Sequence, residues 1–518
     1  MPVRAELGLR RFFLALLMIA ALPALLATTA IVYNRPAPPP GPPAYNPTPL
    51  TRDEVLIALL ARELQRSRKL SAVAPSLPPG PQLLAATFPA PLPTIVLSPR
   101  PEPYTLAEVR DSVPAAFETV GTTLLVKASI EVPRNSELIV EGTTTPHLRL
   151  LSTPAGFVTL IAQGGTLKFQ GTTQAPLTVS TWDPATAAVD ESLVDGRSFL
   201  LTMGGRMDIS HTDIGYLGFG TGTSSGAAWR SDDHSIDSDA IPAAGTVTNS
   251  VLHHNWFGAY TFEATAMQWI GNTFAYNAAY GFDPHDLSND FLVERNVAHH
   301  NGRHGFIFSR GCDRNILRDN VAYNNRGHGF MIDDGRSEDT SYADAARLPS
   351  NNNQLVGNRA YNNDGSGIEI EGGTGTIVSG NSLAGNHVGV RVKSDASALV
   401  ENNRITNSAL AGVDVLNGRG SVRIVNNTVS GGWAGIALGG HTSATLEENT
   451  LVDASTPLAV AGQAVREENI GSIIGRVFRW NPLLVLWAAI LGVPFVFGIY
   501  RLARLAAPRR DLAGALRR

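Results

Sequence analysis

The residues most able to do chemistry sit in the string Tyr280-Gly281-Phe282-Asp283-Pro284-His285-Asp286. A second string, His304-Gly305-Phe306-Ile307-Phe308-Ser309-Arg310, follows shortly after. Imidazole titrates close to neutral pH, so His285 is the candidate general base. A guanidinium holds a carboxylate through paired N–H bonds, so Arg310 is the candidate group for neutralising one. This pair suits removal of the weakly acidic proton α to a sugar carboxylate, a step that requires the resulting anion to be stabilised. Returning a proton to the other face of the ring needs a second group, and Tyr280 is the natural counterpart of His285. Asp283 and Asp286 flank the base and are expected to position and tune it.

These residues must be held by a repeat. A glycine followed by an apolar or alternating run recurs at Gly258, Gly281, Gly305, Gly329, Gly367, Gly389, Gly412 and Gly435, in steps of 23, 24, 24, 38, 22, 23 and 23. An asparagine recurs in phase at Asn272, Asn296, Asn320, Asn358, Asn381, Asn403, Asn427 and Asn449. Between them lie short β-rich runs and turn residues, with no helical period. The leucine spacing of leucine-rich repeats is absent. An amide that both donates and accepts can bond to its copy in the next turn, and asparagine tolerates the left-handed backbone of a corner. The expected fold is all-β: a right-handed parallel β-helix over 104–474, with an insertion at about 335–350 hanging from one turn. Its end caps are expected near 104–141 and 465–474.

Aligning the turns on their glycines groups residues into columns. One column reads Phe257, Tyr280, His304, His328 and Ser366. A second reads Phe262, His285, Ser309, Asp333 and Glu371, and the next Glu263, Asp286, Arg310, Asp334 and Gly372. Successive rungs are about 4.8 Å apart, so Tyr280, Asp283, His285, Asp286, His304 and Arg310 converge on one outer face. His304, Asp333, Asp334 and Glu263 are expected to line the substrate groove, and Glu369 and Glu371 would suit its continuation. Asp333 and Asp334 are read as solvated carboxylates at a loop mouth rather than metal ligands, and no metal or cofactor is expected. His253, His254, His299, His300 and His328 are read as surface or corner residues. Trp256 and Trp269 suit either sugar stacking or packing.

The Asp-Pro-His-Asp string with its preceding tyrosine, and the arginine one turn later, resembles the bacterial mannuronan C5-epimerases of alginate metabolism. The likeness covers roughly 120–460 as architecture and is specific from about 250 to 335. It implies that His285 abstracts the proton and Arg310 neutralises the uronate carboxylate. Asp283 and Asp286 would tune the base, Tyr280 would act on the opposite face or through water, and Pro284 would fix the local backbone. Secreted members of the family use a lysine one turn earlier, whereas this chain has no lysine between Lys168 and Lys393. Their calcium-binding nonapeptide repeats are also absent.

The flanks read differently. Residues 12–33 form a run of 22 uncharged, mostly apolar residues behind Arg4, Arg10 and Arg11. Such a run can span a bilayer, and an uncleaved anchor over 1–33 is favoured over a signal peptide cut near Ala30. A second run of 19 uncharged residues, 482–500, precedes a basic tail at 501–518. Both are expected to be transmembrane helices with both termini cytoplasmic and the β-helix outside the cytoplasm. Residues 34–103 read as a Pro-rich linker carrying one helix over 51–70. Thr51 is its expected cap, and Val55, Leu56, Leu59, Leu60 and Leu64 its apolar face. The net charge of -4 gives no reason to expect nucleic acid. A single cysteine, Cys312, rules out an intramolecular disulfide or a cysteine zinc cluster.

The functional expectation is a membrane-tethered uronan C5-epimerase acting on an anionic polysaccharide, with exopolysaccharide-assembly proteins as partners. A lyase that shares the first step is the alternative, as is a non-catalytic carbohydrate-binding solenoid.

Overall fold

In the computed structural model, the described residues are 53–85, 92–232, 240–335, 347–417, 421–461 and 465–467. All of them belong to one compact unit, 45–518. Three sheets of 15, 14 and 15 strands run the length of this unit. Each turn contributes one strand to each sheet. Pairing between turns is parallel. The antiparallel pairs among the sheet strands lie at the N-terminal end, Gln82–Leu84 with Thr94–Val96 and Phe117–Val120 with Thr123–Val126. This is the expected parallel β-helix.

Inward residues stack in columns because the strand period of two sends alternate side chains to the core. In the first sheet, Phe282 pairs with Phe306, Phe306 with Phe330 and Phe330 with Ile368. The rings of Phe306 and Phe330 lie nearly parallel, with centroids 4.9 Å apart. The glycine column has a steric cause. A Cβ on Gly281 would lie 2.5 Å from the Gly305 carbonyl oxygen, and one on Gly305 would lie 2.8 Å from that of Gly329.

The asparagine column is a hydrogen-bonded ladder. Asn272 Nδ2 donates to Asn296 Oδ1 at 2.9 Å, Asn296 to Asn320 at 3.0 Å, and the chain continues to Asn449. Each amide also donates to a backbone carbonyl, as Asn296 does to Trp269 O at 2.8 Å. A net contribution of about 1 kcal/mol per bond, repeated up the stack, fixes the register of every turn. A second ladder, not anticipated from the sequence, runs through Asn277, Asn301, Asn325, Asn363 and Asn386. It sits at the corner three residues before Tyr280 and holds the backbone that presents the tyrosine.

The expected linker differs most. Helix α1 (Glu54–Val73) is capped by Asp53, whose Oδ1 accepts from the amides of Val55 and Leu56. The expected cap Thr51 lies outside the described residues. A carboxylate also favours the positive end of the helix dipole, which explains the choice of Asp53. Rather than serving as a spacer, α1 packs on the outer face of the first sheet. Leu56 and Leu60 join an apolar cluster with Phe157, Phe199, Leu201 and Phe219, whereas Val55 is exposed. Beneath it, Arg66 contacts Glu63 and Thr159, and Ser67 Oγ donates to Glu131 at 3.0 Å. Burial pushes the Glu131 carboxyl up to about 8, so it packs there as a neutral acid.

Residues 94–96 already belong to the first sheet, ten positions before the expected start of the helix at 104. No helix among the described residues is long and apolar enough to cross a membrane. The two expected spans, 12–33 and 482–500, lie outside the described residues, as do the basic tail and most of the expected C-terminal cap.

Candidate active site

The site is assembled on the outer face of the first sheet by strand register. Tyr260 pairs with Asp283 and Phe262 with His285. His285 then pairs with Ser309, and Ser309 with Asp333. The next column turns the corner: the Glu263 amide donates to Asp286 O at 2.7 Å and the Leu287 amide to Arg310 O at 3.0 Å. Glu263, Asp286 and Arg310 all have positive φ, at 51, 27 and 62°. Non-glycine residues in that region carry strain of order 1–3 kcal/mol, and such strain clusters at functional sites. Here the corner swings three charged side chains back toward the sheet.

Asp286 bridges the candidate base and the candidate cation. Its Oδ2 lies 3.3 Å from His285 Nδ1 and its Oδ1 lies 2.7 Å from Arg310 Nε. The His285, Asp286 and Arg310 side chains are only 11–14% exposed. Burial works against the imidazolium, but contact with Asp286 and the charge of Asp283 outweigh it and raise the His285 pKa above its ordinary value. Asp283 is buried, and its Oδ1 has no hydrogen-bond partner. Burial pushes this carboxyl up to about 7, opposed by the nearby His285.

Tyr280 packs against Phe257 with the rings tilted by 58° and centroids 4.9 Å apart, and stacks on His304 at 5.4 Å. Its hydroxyl oxygen accepts from Arg303 Nη1 at 2.8 Å. His304 stacks in turn on His328 at 4.7 Å. Backbone amides set both tautomers: His328 N donates to His304 Nδ1 and Ser366 N to His328 Nδ1, at 2.9 and 2.8 Å. Both rings are therefore neutral with the proton on Nε2. Burial agrees, pushing His304 well down and His328 to about 4. The 3.3 Å approach of His328 Nδ1 to Glu369 is consequently not an ion pair.

Of the expected site residues, Asp283, His285, Asp286 and Arg310 come together, while Tyr280 and His304 stack on each other in a separate column of the same turns. Asp333 lies two rungs beyond His285, accepts from Ser309 Oγ at 2.7 Å, and is pushed by burial up to about 6. Two readings need correction. Asp333 and Asp334 are fully buried rather than solvated, because Ser309 and Gly335 N bond the first while Arg347 covers the second at 2.5 Å. His328, read as a surface or corner residue, is buried in the imidazole stack. Glu263 turns its carboxylate to Ser231. Trp269 is a core residue.

Sequence reasoning missed Arg303, although it directly precedes His304 and so sits beside the tyrosine column. It also missed Arg230, which pairs with Phe262 one rung before His285. Among the described residues there is no cluster of three or more His, Cys, Asp or Glu arranged to hold a metal.

Comparison with known proteins follows this geometry. A family model described as a right handed beta helix region matches residues 223–344 and 338–451. The mannuronan C5-epimerase of Pseudomonas fluorescens is 27% identical over 221 residues, 41% of this chain and 40% of that protein. That of Pseudomonas aeruginosa is 35% identical over 74 residues, 14% of each chain. The chain thus matches at most about 40% of the length of these curated relatives. Among solved structures, the periplasmic alginate epimerase AlgG superposes with a TM-score of 0.57 at 19% identity, covering 73% of this chain and 86% of that one. The likeness shows a shared fold.

Proposed function

We propose that this chain, which shares the right-handed β-helix fold and is similar over part of its length to mannuronan C5-epimerases, is a C5-epimerase of a mannuronate-type polysaccharide, acting outside the cytoplasm. The observation that carries this reading is the chain of contacts from His285 through Asp286 to Arg310, with a tyrosine backed by Arg303 in the same turn as His285.

With Nδ1–H facing Asp286, the lone pair of His285 lies on Nε2, which takes the proton from C5. The C–H electron pair passes into the carboxylate, and the anion that forms is stabilised by Arg310. Asp286 holds Arg310 by Nε, which orients the two Nη groups for the paired bonds that a carboxylate requires. Tyr280 delivers its hydroxyl proton to the opposite face of C5. The guanidinium of Arg303 then stabilises the phenolate left behind. Proton exchange with water restores neutral His285 and protonated Tyr280. Asp283, beside the base, favours the imidazolium that forms during the step. The apolar runs at 12–33 and 482–500 would tether the enzyme to the membrane beside its polymer.

The test is incubation of the full chain with polymannuronate in deuterated water. Deuterium at C5 of inverted residues in uncut chains is the expected result. An unsaturated uronate end would instead establish a lyase, and no exchange with any uronan would sink both. His285→Ala should lower the exchange rate by about 10²–10⁴-fold.

A further inference from the structure

The outer face of the first sheet carries several cations near the site, and most are already committed. Arg310 contacts Asp286, Arg391 pairs with Asp414 at 2.9 Å, and Lys393 bridges Glu369 and Glu371 at 2.8 and 3.2 Å. Arg347 is held by Asp334 and Arg303 donates to Tyr280. Arg230 differs. Among the described residues it has no carboxylate partner. Its Nη1 donates to Thr223 Oγ1 at 2.7 Å, and its buried Nε has no hydrogen-bond partner among the described residues.

Its placement is as specific as its state. Arg230 stands in the same outward column as the base: Arg230 pairs with Phe262, and Phe262 with His285. The guanidinium lies over the Phe262 ring, 4.5 Å from its centroid. One rung farther on, the His285 imidazole is stacked with that ring, with centroids 6.5 Å apart and planes within 10°. Guanidinium, phenyl and imidazole therefore form one column about 10 Å long, the height of two rungs. The aromatic contact and the Thr223 bond hold the long side chain in one place, and so lower the entropy cost of using it. A half-buried guanidinium with an unused buried donor is a poor structural element but a good binding site for a carboxylate.

Resting on the epimerase reading, we propose that Arg230 is a substrate-positioning residue that binds the carboxylate of a uronate several sugars along the polymer from the one undergoing reaction. A polymer laid along this column places one carboxylate at Arg310 while another, farther along the chain, reaches Arg230. This chain has no lysine between Lys168 and Lys393, and Arg230 supplies a fixed positive charge on the upstream side of the base. The residue sets which sugar must stand at that distance from the reacting one: a charged uronate is accepted there and a neutral sugar is not.

The test compares the full-length wild-type chain with Arg230→Ala and Arg230→Lys. Substrates are polymannuronate, a mannuronate dimer or trimer, and polymannuronate whose carboxylates have been reduced to alcohols. For the alanine variant, KM and the calorimetric Kd for polymannuronate should rise about 10- to 100-fold while kcat changes little. The lysine variant should recover part of this loss. Oligomers too short to reach Arg230 should show no difference, and the reduced polymer should bind weakly to all three proteins.

Unchanged KM and Kd for the alanine variant overturn the proposal, as does a loss confined to kcat or one equal for every chain length. The two readings separate cleanly. Binding of polymannuronate that depends on Arg230, without deuterium entering C5, keeps the Arg230 assignment and removes the epimerase. Deuterium exchange with an unchanged KM does the reverse. A melting temperature of the lysine variant equal to wild type shows that the fold is retained.

Discussion

The outer face of the first sheet is built from one strand geometry, yet its two halves have opposite characters. Before the site, one outward column runs Glu131, Ile161, Leu201, Ala228 and Tyr260. That half is roofed by α1, and even its glutamate is neutral. Beyond the site the same column runs Met331, Glu369, Arg391 and Asp414, and the charges there are paired with one another. Asp283, His285, Asp286 and Arg310 stand at the boundary. The apolar half supplies low dielectric that raises Asp283, while the aromatic rings of Tyr260 and Phe262 wall the base. The charged half supplies fixed positions for polar groups. In the proposed mechanism, catalytic power comes from placing ionisable groups where a dry surface meets a polar one.

The charged half can be broken first. Lys393 is the shared cation of Glu369 and Glu371, both nearly buried. Burial opposes the Glu369 carboxylate, but with His328 neutral the charges of Lys393 and Arg391 still hold its pKa below the ordinary value. Lys393→Met should destabilise the local turns by roughly 3 kcal/mol, the usual cost of leaving a buried charge without its partner. Hydrogen exchange of the amides in 388–393 should accelerate about a hundredfold at pH 7. The sign with pH follows from the depressed carboxylate. Its stabilising contribution is present above the unfolded pKa near 4.5 and is lost as pH falls below it through the depressed folded value, so the deficit of the variant should shrink in acid. An equal deficit at pH 4 and pH 7 would show that the lysine stem, not its charge, supports the ladder.

The apolar half should respond differently. Leu60→Ala removes a buried contact of α1 and should cost about 2 kcal/mol. Amides of α1 should then exchange about thirtyfold faster. Deuterium incorporation at substrate C5 should stay close to wild type, because α1 covers rungs upstream of the base. A fall in kcat with Leu60→Ala would mean that α1 forms part of the working groove, and the contrast between the halves would lose its meaning.

The repeat was legible in the sequence because its causes are periodic. The glycine column is forced by carbonyls one turn away, and the first asparagine ladder by amide pairing, so both recur in phase with the turns. The second ladder is equally regular, but Asn255, Asn277 and Asn301 fall among the many corner asparagines and go unnoticed without a register. Tyr280, His285 and Arg310 could be brought together by counting, since strand pairing preserves the count. Arg230 could not be placed so simply, because 32 residues separate it from its partner Phe262 instead of the usual 22 to 24. The role of 53–103 was obscured by its prolines, which are as compatible with an end cap as with a spacer. Burial of Asp333 and Asp334 was hidden for another reason: it depends on Ser309 and Arg347, which neither the spacing nor the hydropathy of the segment 333–334 reveals.

The finest test of the boundary is Asp283, one strand position from the pocket proline and two from the base. Its carboxyl is pushed up to about 7 by burial, so near neutral pH it is partly ionised, and that charge raises the pKa of His285. His285 must be neutral to accept the C5 proton, so kcat/KM should rise with pH along a limb set above the ordinary imidazole value. Asp283→Asn removes the charge and keeps the shape. The imidazolium then loses a stabilising neighbour while burial continues to oppose it, so the pKa of the base falls. The acidic limb of kcat/KM should move to lower pH, by about one unit or less given that Asp283 is itself only partly charged there. The plateau rate should fall as well, since a weaker base abstracts the proton more slowly. A limb that moves upward would mean that the carboxyl acts mainly as a neutral acid holding the substrate, and that Asp286 alone tunes His285.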